Sequence, residues 1–387
     1  MINIIDKTEC TGCAACTNIC GHKAIQMTFD EKGHAYPIVN KDKCIDCGLC
    51  EQVCPLLHSE QIPEDSSICK YPLVYAAYNR DDEIRKRSTS GGIFSILANF
   101  VLQQKGIVFA VRFDKDWRVI HTSFESISEL DAFRGSKYVQ SEIFNTYQLV
   151  KSELKNNRWT LFVGTPCQVA GLKSYLRKDY DKLLTCDFIC MGISSPVIWS
   201  EYLDVYWKRN LIKNICFKDK CKSWHKWNML IEDNHGKHTC VGMDNPFFNC
   251  YLTHLIFRPS CFHCRFRHLR HVSDFTIADC WGIDKVYPEF DDDKGCTTLM
   301  LQNEKAELTF NILKDNIQIN RYSRSDVIKY NSHSVKQPTI DPLTEVFYKT
   351  YRDWGFKIAF KQIIKLRRKN ALIKRIKKIM YRIGNIK

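Results

Sequence analysis

From residue 74 the chain alternates short apolar runs with stretches in which apolar residues recur every three or four positions. The first pattern predicts buried strands and the second amphipathic helices. Residues 74–78 and 107–113 read as strands, and 160–163 as a short buried one. Between the first two, Ser90-Gly91-Gly92 opens a helix that runs to about Gln104, and Gly106 ends it. A further helix is expected over 169–176. Strand and helix in alternation predict an α/β body. The pattern loses regularity between about 185 and 345, and no topology follows there. Upstream, 24–39 places polar and β-forming residues around Lys32-Gly33, the signature of a small hairpin. Residues 59–72, with Pro63, Ser66 and Ser67, read as a linker.

The end of the chain has its own period. Phe360, Ile363 and Ile364, then Leu372, Ile376, Ile379, Met380 and Ile383, follow i, i+3, i+4 steps, so one helix face is apolar and the other Lys/Arg. The chain divides accordingly into 1–58, a linker 59–72, a body in two parts at 73–150 and 151–345, and a basic tail at 346–387. The fold class is α+β: a small N-terminal module, an α/β body and a basic C-terminal helix. The longest apolar runs, such as 93–102, are about half of the ~20 residues that span a bilayer.

The net charge of +14 is concentrated in that tail. Residues 356–387 carry twelve Lys or Arg and no acid, which leaves 45 basic against 43 acidic residues elsewhere. A basic amphipathic helix suits an anionic membrane surface. It equally suits a terminal helix that docks its apolar face on the body. Nucleic acid is not an expected partner, because a positive tail brings neither base-reading residues nor an aromatic platform.

Twenty cysteines are many for 387 residues. The first ten residues show neither a basic n-region nor an apolar h-region, so disulfides of an exported protein are not the natural reading. The cysteines stand at metal-ligand spacings, which implies reduced thiolates in the cytoplasm. The tail would allow a peripheral position at the inner face of the membrane.

Eight of them form two matched runs. Cys10, Cys13, Cys16 and Cys20 make the first, and Cys44, Cys47, Cys50 and Cys54, followed by Pro55, the second. Two-residue gaps let three thiolates converge on one cubane, and the fourth cysteine of each run reaches the other cluster. Cys10, Cys13, Cys16 and Cys54 are therefore assigned to one [4Fe–4S] cluster, and Cys44, Cys47, Cys50 and Cys20 to a second. Zinc sites use C-x2-C pairs, but not two runs of four. Gly21 stands where such a run usually has proline, which affects the turn and not the ligands. The N-terminal module is thus a bacterial-type ferredoxin, and electron transfer is its expected work.

Further stretches follow in a fixed order: 88–94 (Ser-Thr-Ser-Gly-Gly-Ile-Phe), 135–141 (Gly-Ser-Lys-Tyr-Val-Gln-Ser) and 164–168 (Gly-Thr-Pro-Cys-Gln). Then come 190–196 (Cys-Met-Gly-Ile-Ser-Ser-Pro) and Cys261-x2-Cys264, leading to Ser273-Asp274 and Trp281-Gly282. In this order, over roughly residues 1–300, they resemble the coenzyme F420 hydrogenase/dehydrogenase beta-subunit family. The resemblance implies an FAD protein with a further [4Fe–4S] cluster, exchanging electrons with a deazaflavin, coenzyme F420. The chemistry is consistent, since a hydride donor delivers two electrons, a cluster takes one, and a flavin converts between them.

Ser90, Gly91 and Gly92 stand before a helix, where free backbone amides suit a flavin phosphate; a serine N-cap with packing glycines is the plain alternative. With Gly135, Ser136, Lys137 and Tyr138, where Lys137 would face a phosphate and Tyr138 the flavin ring, the cofactor reading is preferred. No G-x-G-x-x-G fingerprint opens a βαβ unit, which argues against a Rossmann-type NAD site. Cys167 and Cys190 each follow an apolar strand, and with Cys261 and Cys264 they could form a four-thiolate site. The resemblance points to a third [4Fe–4S] cluster there; zinc, with His263, His268 and His271 close in sequence, and unliganded thiols are the alternatives.

Two departures from the family pattern lie near the expected active site. Met191 stands where a histidine is usual, and Ala278-Asp279-Cys280 where Gly-Asp-aromatic is usual. The substrate could therefore be a replacement for the deazaflavin, and Cys280 could replace one of the four proposed ligands. Cys69, Cys186, Cys216, Cys221, Cys240, Cys250 and Cys296 have no ligand spacing and read as free cysteines. The expected function is that of a flavin- and iron–sulfur-dependent oxidoreductase, with a partner protein or a small molecule as electron donor or acceptor. Two alternatives are an electron-transfer subunit with no chemistry of its own, docked on a catalytic partner, and a membrane-associated protein of a surface-polysaccharide pathway.

Overall fold

The hairpin expected at 24–39 forms from antiparallel β1 (Ile25–Phe29) and β2 (Ala35–Val39), which turn through Gly33. The structure, a computed structural model, describes residues 1–58 and 69–384, with side chains as far as residue 375. Each cysteine run carries a short helix, Ala15–Ile19 or Leu49–Gln52, entered through a left-handed residue, Ala14 or Gly48. Of the linker expected at 59–72, only 69–72 fall within the described residues.

The α/β body is built on an eight-stranded sheet. Its strands are β3 (Leu73–Asn79), β4 (Ile107–Phe113), β5 (Val119–Phe124), β6 (Thr160–Val163), β7 (Leu183–Phe188), β11 (Phe275–Asp279), β12 (Thr297–Leu301) and β13 (Ile317–Arg321). Their spatial order is β13-β3-β12-β11-β7-β6-β4-β5. Four consecutive strands, β11, β7, β6 and β4, run parallel to one another, and antiparallel strands complete the sheet, three beyond β11 and one beyond β4. The helix Ile93–Gln103 lays seven buried side chains against the sheet. The helix expected from 169 starts three residues earlier, as Pro166–Leu176. Proline needs no N–H at a first helical position, and Thr165 and Gln168 form a reciprocal capping box.

The irregular region supplies a second sheet, three antiparallel strands in the order β10-β9-β8: β8 (Asn214–Asp219), β9 (Asn228–Asp233) and β10 (Gly236–Val241). Its inner side joins an aromatic core that includes Trp199, Tyr202, Phe217, Phe247, Phe248, Tyr251 and Phe257.

The terminal helix spans Thr344–Gly384 and breaks at Gly355, whose φ is 74°. Glu201 Oε1 accepts the Phe356 N–H at the break, 2.7 Å away. Beyond it Phe356, Ala359 and Ile363 are fully buried in the aromatic core. Arg367 clasps Asn249 (2.7 Å) and Asp341 (2.5 Å). The apolar face of 356–363 is therefore structural, at about 1.5–3 kcal/mol for each large side chain buried. Residues 368–375 are exposed, Leu372 at 59%. The side chains of Ile376, Lys377, Lys378, Ile379, Met380 and Ile383 lie outside the described residues. No helix among the described residues is long and apolar enough to cross a membrane.

Candidate redox site

Cys10, Cys13, Cys16 and Cys54 line one small cavity with Ile2, Ile4, Met27 and Pro37, so the fourth cysteine of the second run meets the first three of the other. Backbone N–H groups already point at two further thiols: Ala24 N to Cys20 Sγ and Ile2 N to Cys50 Sγ, each 3.3 Å. Cys47 is exposed and Cys44 half-buried, so this second group faces the outside. Burial raises the Cys13, Cys16 and Cys54 thiols above their ordinary value. Metal assembly there must displace protons.

A larger cavity of about 410 Å³ opens at the carboxyl ends of β6, β7 and β11. That is where open α/β sheets hold their ligands. Ser90, Gly92, Gly135, Ser136, Lys137 and Tyr138 all line it. Gly91 sits behind: its N–H donates to Thr297 Oγ1 (2.8 Å), and a Cβ there would come within 2.4 Å of Ala77 O. Ser90 does not cap the helix, since its hydroxyl donates to Cys296 O (2.5 Å). The cap position is Gly92, at φ 85°, and no side chain caps the first turn. The backbone end of an eleven-residue helix thus faces the cavity, where its N–H groups favour negative charge.

Lys137 departs from expectation. Instead of facing a phosphate, its Nζ donates to the carbonyls of Arg134 (2.8 Å), Gly135 (3.1 Å) and Phe133 (3.3 Å), closing the end of the helix Leu130–Phe133. Burial pushes its ammonium down to about 7. The Tyr138 ring stands edge-on to Phe217, Phe248 and Tyr251, with centroids 5.0–5.7 Å apart.

The opposite wall was not foreseen. Lys218, from β8, has a side chain only 1% exposed, and its Nζ lies 2.7 Å from Asp279 Oδ2. The same Nζ sits 4.5 Å over the Trp281 ring, which stacks on Trp224 at 5.1 Å and 9°. Trp224 Nε1 donates to Asp279 Oδ1 (3.3 Å). Burial lowers the Lys218 pKa and Asp279 opposes that shift. Lys220 Nζ reaches Ser90 O (2.8 Å), tying β8 to the 88–94 loop.

Beside this cavity lies a smaller one lined by all four remaining candidate ligands, Cys167, Cys190, Cys261 and Cys264. Cys167, the second residue of its helix, places Sγ 3.1 Å from Thr165 Oγ1. Cys190 follows β7, and Cys261 lies on the turn Pro259–His263. Burial pushes Cys167 up to about 11 and Cys261 to about 12, with neighbouring thiols adding to both. His263 is exposed, and His271 reaches this cavity with its Nδ1 held 2.9 Å from both Asp187 carboxylate oxygens. Among the described residues no three His, Cys, Asp or Glu side chains gather closely enough for a single metal ion. Cys280 is not a substitute ligand, because it packs away from both cavities with Cys296, Trp224 and Tyr322. Thr11 lines all three cavities.

A ferredoxin-type module set against an α/β body with a large cavity defines an iron–sulfur electron-transfer protein. Family models agree: a 4Fe-4S dicluster domain matches residues 9–56. The N-terminal part of the coenzyme F420 hydrogenase/dehydrogenase beta subunit matches 74–147, and its C-terminal part 157–325. The chain belongs to the coenzyme F420 hydrogenase/dehydrogenase beta-subunit family. No curated protein matches it. Among solved structures, a chain of the F420-reducing [NiFe] hydrogenase complex from Methanosarcina barkeri is 16% identical, with a TM-score of 0.47. That alignment covers 78% of this chain and 94% of the other.

Proposed function

We propose that the chain is an oxidoreductase that holds FAD in the 410 Å³ cavity and exchanges electrons through three [4Fe–4S] clusters, the third on Cys167, Cys190, Cys261 and Cys264. Contiguity carries this reading. Thr11 belongs to the wall of all three of these cavities, and Cys167 and Cys190 line the large cavity as well as the four-thiol one. A flavin bound there supplies the conversion between two-electron and one-electron transfer. The residues present fit it. The uncapped first turn after Gly92 offers N–H groups to a pyrophosphate, and the half-buried Tyr138 and Trp281 offer apolar surface to a ring system. The substrate is a two-electron organic carrier, coenzyme F420 or a replacement, meeting Met191, Ala278 and Asp279 in the same cavity.

Anaerobic purification tests this directly, with about twelve irons and one non-covalent FAD per chain expected. Eight irons and one zinc would remove the third cluster. Absence of flavin, with no uptake on incubation with FAD, would favour the second reading, an electron-transfer subunit docked on a catalytic partner. That reading has its own support: exposed Cys47 is flanked by Ile45, 63% exposed, an apolar contact point beside the outer cysteines. For the tail, the proposed role is contact with an anionic membrane through the exposed segment after Arg367, supported by Arg368, Lys369, Lys374 and Arg375 on its surface.

A further inference from the structure

Arg258 is one of the largest fully buried side chains in the protein, and it lies between two groups of cysteines. Its backbone belongs to the four-thiol site, since Cys261 N–H donates to Arg258 O (2.9 Å) and Pro259 begins the turn that carries Cys261. Its guanidinium points into the N-terminal module. Nε donates to Cys10 O (2.7 Å), and Nη1 to Gln140 Oε1 (3.1 Å). Nη2 donates to Ala35 O (2.9 Å) and lies 3.6 Å from Cys10 Sγ. The group also stacks 4.1 Å over the Tyr36 ring. The space is built around it: Gly12 has φ +70°, and a Cβ there would come 2.9 Å from Arg258 Nη1 and 2.5 Å from Gln140 Nε2.

None of these partners is a carboxylate. A guanidinium taken wholly out of water is costly unless an anion compensates it. Two carbonyls and an amide oxygen supply dipoles, the Tyr36 ring supplies its π face, and the remaining contact is a cysteine sulfur. A cubane held by four thiolates is anionic in both redox states and gains one negative charge on reduction.

We infer that Arg258 is the charge partner of the cluster bound through Cys10, stabilising its reduced state and so holding electrons at the module face nearest the body. It is a positioning residue for the relay and takes no part in bond chemistry. The inference rests on the dicluster module alone and needs neither FAD nor the third cluster.

The test is an anaerobic redox titration of the full chain followed by EPR, comparing wild type with Arg258→Gln and Arg258→Lys. Arg258→Gln should make one module cluster at least tenfold harder to reduce, ~59 mV for a one-electron couple. Arg258→Lys should recover most of that shift, and the cluster at Cys47 should move less. Unmoved potentials in an iron-replete Arg258→Gln protein, or a Lys variant shifted as far as Gln, would overturn the inference. If Arg258→Gln loses its iron, wild-type protein labelled with 15N-arginine decides. Hyperfine spectra of the reduced module should show an arginine nitrogen, and clusters present without that coupling overturn this inference alone. Wild-type protein lacking reduced [4Fe–4S] signals would sink the dicluster reading, and the inference with it.

Discussion

Replacing Lys218 by methionine should be among the more damaging single changes in the cavity wall. The Lys218 side chain is 1% exposed and that of Asp279 17%, with 2.7 Å between their charged atoms. Removing one member of a buried pair costs ~3–5 kcal/mol, because the other is left charged and desolvated. Asp279 borders the cavity and keeps one further partner, Trp224 Nε1 at 3.3 Å, which sets the expectation at the lower end. The cation–π contact with Trp281, 4.5 Å away, is lost too, and a methionine sulfur restores part of it. A loss of ~3 kcal/mol, at about 2–4 °C per kcal/mol for a mid-sized domain, lowers Tm by roughly 6–12 °C. Asp279→Asn should cost less, since burial already lowers the Lys218 pKa and the lysine can shed its proton. The decisive measurement is the double-mutant cycle, read by anaerobic thermal unfolding at matched iron content. The Lys218→Met/Asp279→Asn protein should be more stable than the sum of the single losses predicts, by ~1–3 kcal/mol. Additive losses, or a Tm for Lys218→Met close to wild type, would refute the claim that this wall is dry and the pair coupled.

Two further expectations follow from burial. His121 is 3% exposed and held neutral, its pKa pushed down to about 4 by desolvation, with ring nitrogens near Val163 O (3.0 Å) and Ser141 Oγ (2.9 Å). Between about pH 4 and 6.5 the unfolded chain binds this proton and the folded one does not. Stability should therefore rise with pH across that window by ~3 kcal/mol, and His121→Asn should flatten that part of a denaturation-versus-pH profile. For the tail, ending the chain after Arg367 should leave iron, flavin and Tm unchanged and abolish binding to anionic vesicles, which in the full chain should fade with salt. Ending it before Phe356 should destabilise the body, because Phe356, Ala359 and Ile363 leave the core.

What could be read from sequence was what local spacing determines. Cys10, Cys13 and Cys16, spaced by two residues, line one cavity as their spacing suggests, and 107–113 and 160–163 are apolar enough to be strands. What could not be read depends on partners far along the chain. Lys218 follows Ile215, Cys216 and Phe217 in its strand, and Asp279, on another sheet, together with the Trp281 ring makes its charge tolerable. Lys137 invites a phosphate by its residue type, but a four-residue helix too short to predict ends beside it and its carbonyls take the ammonium. Nor does amphipathic period distinguish a docked helix from a membrane-bound one. Glu201, Asn249 and Asp341 settle the matter for 356–367, and none of them carries a sequence signal.

The way the N-terminal module is held bears on how electrons could move. A ferredoxin joined by a linker could swing between donor and acceptor, but its inner loop is pinned. Four successive carbonyls accept hydrogen bonds from body side chains: Cys10 from Arg258, Thr11 and Gly12 from Gln140, and Cys13 from the Tyr147 hydroxyl. Asn18 and Gly33 extend the attachment, through Phe144 O and the Ser195 hydroxyl. These bonds mostly reach the module's backbone, so they fix where its inner thiols sit. Cys10 and Cys13 are thus clamped against the wall that Thr11 shares with the large cavity, and Cys47 is left in solvent. On the proposed cluster assignment, the inner cluster would keep a fixed separation from the cavity and would exchange electrons within the chain. Exchange with another molecule would then fall to the outer cluster, at the Cys44–Cys47 face, where Cys47 is exposed.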